Sequence, residues 1–257
     1  MSRLLIAGWI GGAGIALAAT AQDERPPASY TNYYTPQPPV VAAPAGGVPS
    51  DAIVLFDGSG FAAWESMNPD LTTVPWEIAD GAMVVKGRTG NIRTKQAFGD
   101  IQLHLEWRAP EHPTENGQKR GNSGVFFMGR YEVQILDSYQ NETYVHGGAA
   151  SVYKQYAPLA NATRPPGEWQ VYDLVFEAPR FSPGGALITP ALITVFHNGV
   201  LTQHAVPLAG PTENRGLPAY QYHVPRLPLV LQDHHDPVAF RNIWVRELDL
   251  PPIKRGR

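Results

Sequence analysis

Apolar and polar residues alternate along short segments of this chain. In IQLHLEW, residues 101–107, every odd-numbered position is apolar, whereas Gln102, His104 and Glu106 are polar. A period of two predicts a β-strand with one buried face and one outward face. The same criterion, together with bounding turn residues, predicts strands in AIVLFDG, WEIADGAMVVKG, NIRTKQAF, GNSGVFFMG, YEVQILD, WQVYDLVFEA, ALITVFHNGVLTQHAV, LPLVLQD and FRNIWVREL.

The turns between these segments favour antiparallel pairing. Asp80-Gly81 and Asn198-Gly199 are dipeptides typical of two-residue hairpins. No stretch of ten or more residues keeps a helical period, and 25 Gly and 25 Pro suit short strands joined by turns. We therefore predict one all-β domain over residues 51–250, an antiparallel β-sandwich or jelly roll.

The N-terminal residues predict export. Arg3 precedes an apolar run over 4–17, and Ala19 and Ala21 form an A-x-A arrangement, so residues 1–21 have the features of a signal peptide cut after Ala21. The alternative, a membrane anchor, is disfavoured because the run is shorter than the ~20 residues that a span needs. Residues 22–50 are predicted to be a Pro-rich linker and 251–257 a short tail. The expected location is periplasmic or secreted, with no membrane anchor after cleavage.

Composition excludes several classes of function. The net charge is −3, and the sequence pI is about 6.2. Such a chain has no basic field to hold nucleic acid or an anionic membrane surface. The sequence contains no Cys, which excludes disulfides, thiolate metal sites and a Cys nucleophile.

The outward strand faces hold the candidate chemistry. Alternation in YEVQILD directs Glu132 and Gln134 away from the core, and in LPLVLQDH it does the same for His234. If these strands are neighbours of IQLHLEW, one concave face also includes Glu106. The alternative is an ordinary solvated sheet face.

Several longer phrases resemble one family. LFDG with a following Trp, EW, GNSGVFF, YEVQILDS, GEWQVYD, ITVFHNGV and LQDHHDPVAFRNIWVREL occur in this order over residues 53–248. The sequence resembles the 3-keto-disaccharide hydrolase family. The resemblance implies a concanavalin-like jelly roll, exported in bacteria, that acts on glycosides whose 3-hydroxyl is oxidised to a ketone. Members act as hydrolases or as lyases that eliminate across C1 and C2.

The resemblance also implies a set of site residues. Positions that fall on the family's motifs are Asn122, Glu132, Gln134, Asp137, Asp233, His234, Arg241 and Asn242. One departure concerns LQDHG, in which the glycine is replaced here by His235. We predict catalytic roles for Glu132, His234 and Asp137, and substrate binding by Glu106, Asn122, Gln134, Tyr153, Asp233 and Arg241. Asn242 and Trp244 are expected to be structural, and the glycines of GNSG, Gly121 and Gly124, to serve turns.

A ketone at C3 simplifies the chemistry required of such a site. It acidifies the C2 hydrogen, and the leaving group at C1 departs from the resulting enolate. The protein must supply a base, a donor to the enolate oxygen and an acid for the leaving oxygen. An imidazole or a carboxyl group raised in pKa by burial suits proton transfer. Amides suit sugar hydroxyls, and Tyr153 suits stacking on a pyranose ring.

The sequence is compatible with a binding site for a divalent cation. His104 and Glu106 share one face, and His146 or His234 would complete a nitrogen and oxygen ligand set. No compact ligand motif is present, and no organic cofactor is expected. The remaining histidines, His112, His197, His204 and His223, are predicted to lie at the surface or in turns.

Two other functions compete with cleavage of 3-keto-glycosides. A jelly roll also serves as a non-catalytic sugar-binding module, because fold does not determine function. A conventional glycosidase would use Glu106 and Glu132 as its two carboxyl groups. In every case the expected partner is an oligosaccharide or glycoside.

Overall fold

A computed structural model describes Ser29, Asn32 and residues 37–250 of the chain. The chain divides into two compact units, Met1–Val40 and Val41–Arg257. The predicted signal peptide, part of the predicted linker and the tail 251–257 lie outside the described residues. Within the described part, no helix is long and apolar enough to cross a membrane.

The second unit is built from antiparallel β-strands. Two short 3₁₀ turns, Gly117–Lys119 and Val145–Gly147, interrupt the strand succession. Over residues 37–250 the strands are β1 (Ile53–Phe56), β2 (Trp64–Ser66), β3 (Glu77–Ala79), β4 (Ala82–Val84), β5 (Ile92–Phe98), β6 (Ile101–Arg108), β7 (Ser123–Phe127), β8 (Tyr131–Ile135), β9 (Gln170–Glu177), β10 (Arg180–Phe181), β11 (Leu187–Thr189), β12 (Leu192–His197), β13 (Val200–Pro207), β14 (Leu227–Leu231) and β15 (Ala239–Glu247).

The described strands form two main sheets and one small ribbon. The eight-stranded sheet has the order β13-β12-β9-β6-β15-β4-β3, with β1 also paired to β15. The five-stranded sheet has the order β2-β5-β14-β7-β8, and β10 pairs with β11. This arrangement confirms the predicted all-β, concanavalin-like antiparallel sandwich.

Alternation along the strands builds the core between the two sheets. The apolar face of β6 contributes Leu105 and Trp107, and the opposite sheet contributes Val125 and Val133 to the same buried cluster. Since side chains on a strand alternate between two faces, the polar residues at the intervening positions, such as Glu106 of β6 and Glu132 of β8, are directed outward. Both predicted hairpin turns are confirmed: Asp80, Gly81, Asn198 and Gly199 all have positive φ, as a two-residue hairpin requires.

The sheet order separates two polar faces that the sequence suggested were one. Strand β6 is in the eight-stranded sheet, whereas β8 and β14 are in the five-stranded sheet. The outer face of β6, with His104 and Glu106, is therefore on the opposite side of the sandwich from Glu132. The condition that these strands are neighbours therefore fails for β6, whereas β8 and β14 belong to one sheet.

Two of the histidines that we expected at the surface or in turns, His197 and His223, are buried. His197 lies edge-on to Tyr172 with ring centroids 4.9 Å apart, and burial lowers its pKa to about 4. The Nδ1 of His223 lies 2.8 Å from the carbonyl oxygen of Val224, which only accepts, so this nitrogen donates. The Nε2 of His223 then accepts from the Tyr131 hydroxyl at 2.8 Å. His112 and His204 are exposed, as predicted.

Candidate active site

A polar pocket lies on the outer face of the five-stranded sheet. Its volume is about 300 Å³, the lower end of the range for small-molecule sites. It combines one carboxyl group, one imidazole and several amides. The lining residues are Gln118, Asn122, Phe126, Glu132, Gln134, Tyr153, Thr212, Asn214, Gln232 and His234.

Strand pairing sets the floor of this pocket. In the register of β7 with β8, Phe126 is opposite Glu132 and Gly124 is opposite Gln134. The ladder continues past the end of β14, because the backbone N–H of Gln232 donates to the Gly124 carbonyl at 3.0 Å. Three adjacent strands therefore present their outward residues to one space. The prediction that His234 shares a face with Glu132 and Gln134 is confirmed, since all three line the pocket.

Glu132 is a buried carboxyl group without an ion-pair partner among the described residues. The residue is 4% exposed, and burial alone raises its pKa from 4.5 to about 8. Its backbone N–H donates to the Thr212 hydroxyl at 2.9 Å, which ties β8 to the loop that closes the pocket. A carboxyl group with this pKa is mostly protonated at neutral pH and is suited to donate a proton.

Gly124 makes room for that carboxyl group. A Cβ atom at this position would meet the Glu132 Oε1 at 2.5 Å and the Phe126 ring at 3.1 Å. Gly124 lies inside β7 and has no positive φ, so its role is close approach and not a turn. This corrects the turn assignment for Gly124. Gly121, with φ of +59°, fits the turn that was predicted for it.

The amides are oriented by bonds to one another. Gln118 accepts from the Gln134 side chain at 3.1 Å, and its backbone carbonyl accepts from Asn122 Nδ2 at 2.7 Å. Among the described residues, the Oε1 atoms of Gln134 and Gln232 are buried and have no hydrogen-bond partner. Buried acceptors are nearly always paired. Both side chains line the pocket, so these unpaired oxygens lie just beneath its surface.

Two tyrosines and a lysine form one wall. The Tyr144 and Tyr153 hydroxyls are 2.6 Å apart. Lys154 Nζ donates to the Asn214 side chain at 3.0 Å and lies 5.5 Å from the Tyr153 ring centroid. This network joins the segment after β8 to the loop that carries Thr212 and Asn214. Tyr153 thus contributes to the pocket, as the sequence predicted.

His234 projects from a loop that two carboxylates hold in place. Asp233 Oδ2 accepts from the backbone N–H groups of Thr89 and Gly90 at 2.8 and 2.9 Å. Asp236 Oδ2 accepts from the Asn122 N–H at 2.8 Å. The Asp233 side chain is only 2% exposed, and Asp233 is absent from the pocket lining. Asp233 is a loop anchor, which corrects its assignment to substrate binding.

Asp137 also lies away from Glu132. Its Oδ2 accepts from Arg120 Nε at 2.7 Å, its Oδ1 accepts from the Tyr139 N–H, and the residue is 1% exposed. It borders a separate cavity of about 230 Å³. Asp137 therefore stabilises a turn and a buried ion pair, and its catalytic assignment is corrected.

Glu106 and Arg241 pair with each other on the other sheet. Arg241 Nε donates to Glu106 Oε2 at 2.6 Å, and its guanidinium lies 4.0 Å from the Trp169 ring centroid. Their substrate-binding assignments are corrected for this reason. A glycosidase with Glu106 and Glu132 as its two carboxyl groups is excluded by the same geometry, because the pair must flank one glycosidic bond.

The cation site suggested by the sequence is not assembled. His104 Nδ1 lies 2.7 Å from Asp173 Oδ1, and its Nε2 lies 4.0 Å from Glu106 Oε1. His234 follows a strand of the other sheet, so it cannot ligate the same ion as His104 and Glu106. In the described part of the chain, no group of three or more His, Cys, Asp or Glu side chains is arranged to hold a metal ion. Trp244 stacks on His104, in keeping with the structural role predicted for it.

Five lining residues were absent from the predicted site. Phe126 and Gln232 are on outward positions of predicted strands, so alternation alone could have identified them. Gln118, Thr212 and Asn214 come from irregular segments, where no periodicity indicates direction.

The fold and pocket together define a class. This is an antiparallel β-sandwich whose outer sheet face holds an amide-rich pocket with a buried protonatable carboxyl group. The chain belongs to the family described as the 3-keto-alpha-glucoside-1,2-lyase-like domain, whose model matches residues 51–246. That match covers the entire described sandwich except its last strand residue, and it confirms the resemblance drawn from the motifs.

Similar proteins agree with this assignment. A crystal structure of a candidate glycosyl hydrolase from Parabacteroides distasonis is 46% identical, covers 86% of this chain and 96% of that one, and has a TM-score of 0.80. A second P. distasonis structure with the same description is 19% identical, covers 77% and 94%, and has a TM-score of 0.57, which supports the fold. The 3-keto-disaccharide hydrolase of Bacteroides thetaiotaomicron is 24% identical over 254 residues, 79% of this chain and 81% of that protein.

Proposed function

We propose that this protein cleaves 3-keto-glycosides in the pocket that contains Glu132 and His234. The observation that carries the proposal is the buried, unpaired carboxyl group of Glu132, whose pKa of about 8 suits a proton donor at neutral pH. The family assignment and the candidate hydrolase from P. distasonis support an enzyme that cleaves carbohydrates. The 3-keto substrate is supported by the B. thetaiotaomicron relative.

Sugar binding is assigned to the amides of the pocket. The pocket is lined by the side-chain amides of Asn122, Gln134, Asn214 and Gln232, and amides both donate to and accept from sugar hydroxyls. Phe126 and Tyr153 offer apolar surface to a pyranose face.

Proton transfer is divided between two residues. His234, as a neutral imidazole, removes the hydrogen from C2, and the electron pair of that bond forms an enolate with the C3 oxygen. The bond between C1 and the glycosidic oxygen then breaks, and Glu132 donates its proton to the leaving oxygen. The products are the freed alcohol and an unsaturated keto sugar. Addition of water across its C1–C2 double bond completes a net hydrolysis.

The ketone is the deciding feature of the substrate. Without it, the C2 hydrogen is far too weakly acidic for a side chain of ordinary basicity. The test is incubation with a 3-keto-disaccharide and with the same disaccharide unoxidised, followed by product analysis. We expect cleavage of the keto form alone. Equal cleavage of both compounds would contradict the elimination route, and binding without cleavage would favour a sugar-binding module.

Export is proposed on the N-terminal sequence alone. Residues 1–21 have the charge, apolar run and small residues of a signal peptide. Expression in a Gram-negative host, followed by mass measurement of the periplasmic protein, should show an N-terminus at Gln22. Retention of the intact chain in the cytoplasm would contradict the proposal.

A further inference from the structure

A second, more apolar groove lies behind one wall of the pocket. Its volume is about 400 Å³, larger than that of the Glu132 pocket. Its surface includes Tyr144, Val145 and Leu159, which are 40%, 67% and 71% exposed. Exposed apolar side chains that cluster in a concavity indicate a binding surface more often than isolated ones do.

The groove and the pocket share their wall. Tyr144 lines the groove, and its hydroxyl is 2.6 Å from that of Tyr153, which lines the pocket. On the same wall, Gln118 of the pocket donates to the Thr143 hydroxyl of the groove at 2.9 Å. Burial and the Tyr153 hydroxyl raise the pKa of Tyr144, and the Glu132 carboxylate adds to the effect. The wall is close to the residue assigned to the leaving oxygen, because the Tyr153 N–H donates to the Glu132 carbonyl at 3.3 Å and both residues line the pocket.

The two cavities differ in chemistry. The pocket is lined mainly by amides and hydroxyls, whereas the groove also presents Ala157, Pro158 and Leu159. A glycoside has the same division, because its sugar is polar on every edge and its aglycone is frequently apolar. The sugar pocket is small, so an aglycone beyond the glycosidic oxygen must leave it over a neighbouring surface.

We propose that the groove bordered by Tyr144, Val145 and Leu159 binds the aglycone, and that the enzyme prefers glycosides of long apolar alcohols to glycosides of short ones. This inference rests on the proposed function, since it extends the same substrate across the Tyr144–Tyr153 wall. Val145 and Leu159 contact the aglycone inside the groove. Tyr144 contacts the part of the aglycone that passes over the Tyr144–Tyr153 wall.

The test compares 3-keto methyl glucoside with 3-keto octyl glucoside. Both release alkyl alcohols of similar acidity, so a difference in kcat/KM reports binding and not leaving-group chemistry. A buried methylene contributes about fourfold in affinity, and we expect the octyl compound to be preferred by at least about tenfold. Leu159→Ser and Val145→Ser should each remove about fivefold or more of that preference, with kcat/KM for the methyl compound unchanged.

Leu217→Ser is the matched control. Leu217 is 92% exposed and lines neither cavity, so this change should leave both substrates unaffected. Equal kcat/KM values for methyl and octyl compounds would overturn the aglycone groove and leave the proposed reaction standing. The same holds if Leu217→Ser lowers the octyl preference as much as Leu159→Ser does. If neither compound is cleaved, the proposed function fails and the inference fails with it.

Discussion

The carboxyl group of Glu132 lies in the space where a side chain at Gly124 would begin. A Cβ at position 124 would be 2.5 Å from Glu132 Oε1 and 3.2 Å from its Cδ. Both residues are on the outer face of adjacent strands, and the missing side chain lets the carboxyl group lie against the backbone of β7. That position removes the group from water, which is the cause of its raised pKa.

Gly124→Ala should therefore impair catalysis without touching the substrate. The new methyl group displaces the end of a flexible side chain, so we expect a small loss of stability. Displaced toward solvent, the Glu132 carboxyl group should have a lower pKa and a poorer position, and kcat should fall by about 10- to 100-fold, part of a general acid's contribution. The measurement is kcat against pH, in which the alkaline limb should move to lower pH.

Gly60→Ala is the control for that experiment. No atom lies within 4 Å of a Cβ built at Gly60, and its φ is not positive, so the change is sterically free. It should leave kcat and the pH profile unchanged. An unaltered alkaline limb in Gly124→Ala would show that the glycine does not position Glu132.

Glu132→Gln should change the pH dependence of stability. The folded pKa of about 8 is above the ordinary value of 4.5, so the native state holds a proton that the unfolded state has lost between these pH values. Wild-type stability therefore falls as pH rises through this window, by up to about 5 kcal/mol. Glutamine has no such dependence.

Thermal denaturation at pH 5 and pH 9 tests this expectation. The variant and wild type should melt at similar temperatures at pH 5, and the variant should melt higher at pH 9. A constant difference at both pH values would mean that Glu132 is not desolvated. The same variant should lose about 10²- to 10⁴-fold in turnover, because an amide cannot donate the proton as an acid.

His234→Asn should remove the base and leave the fold intact. His234 is exposed, and asparagine retains polarity but cannot accept the C2 proton. Turnover of a 3-keto-disaccharide should fall by about 10²- to 10⁴-fold. His204→Asn, at an exposed histidine of β13 outside the pocket, should have no effect. Comparable losses in the two variants would remove His234 from the mechanism.

The strands were predictable because their signal is local. A period of two needs only successive residues, so β6, β8 and the two glycine hairpins could be identified without any structure. Which strands share a sheet depends on pairing between segments far apart in the chain. Alternation indicates that Glu106 and Glu132 both face outward, but it does not distinguish the two outer faces of a sandwich.

The candidate site was predictable only in part for a related reason. Motif positions include both residues that meet a ligand and residues that shape the loop around it. Asp233 and Asp236 flank His234, and both accept backbone N–H groups. A carboxylate that anchors a loop and one that acts on a substrate are identical in a sequence. Thr212 and Asn214 lie in an irregular segment, where only the folded chain shows what they contact.

Asp137→Asn should destabilise the protein without altering its chemistry. The change weakens a buried pair, because Asp137 and Arg120 side chains are 1% and 11% exposed. Loss of one partner of such a pair costs about 3 kcal/mol. In the exposed pair of Glu247 and Arg226, Glu247→Gln should cost about 1 kcal/mol or less. Denaturant unfolding measures both, and a large fall in kcat of folded Asp137→Asn enzyme would restore Asp137 to the mechanism.

His235→Gly should stabilise the loop that carries His234. His235 has φ of +79°, a left-handed conformation that costs a residue with a Cβ roughly 1–2 kcal/mol. Glycine adopts it freely but loses about 0.5–1 kcal/mol through its greater freedom in the unfolded chain. The difference favours the variant by about 0.5 kcal/mol. The His235 side chain is exposed and does not line the pocket, and its contacts are loose: its Nδ1 lies 4.0 Å from Asp233 Oδ1 and its ring centroid lies 5.9 Å from that of His234. We therefore expect kcat to stay within about twofold. Denaturant unfolding should show the higher midpoint at unchanged slope. A variant that melts earlier would show that the contact of His235 with Asp233 holds the loop. A variant that loses activity with its stability intact would show that His235 positions His234 or the substrate.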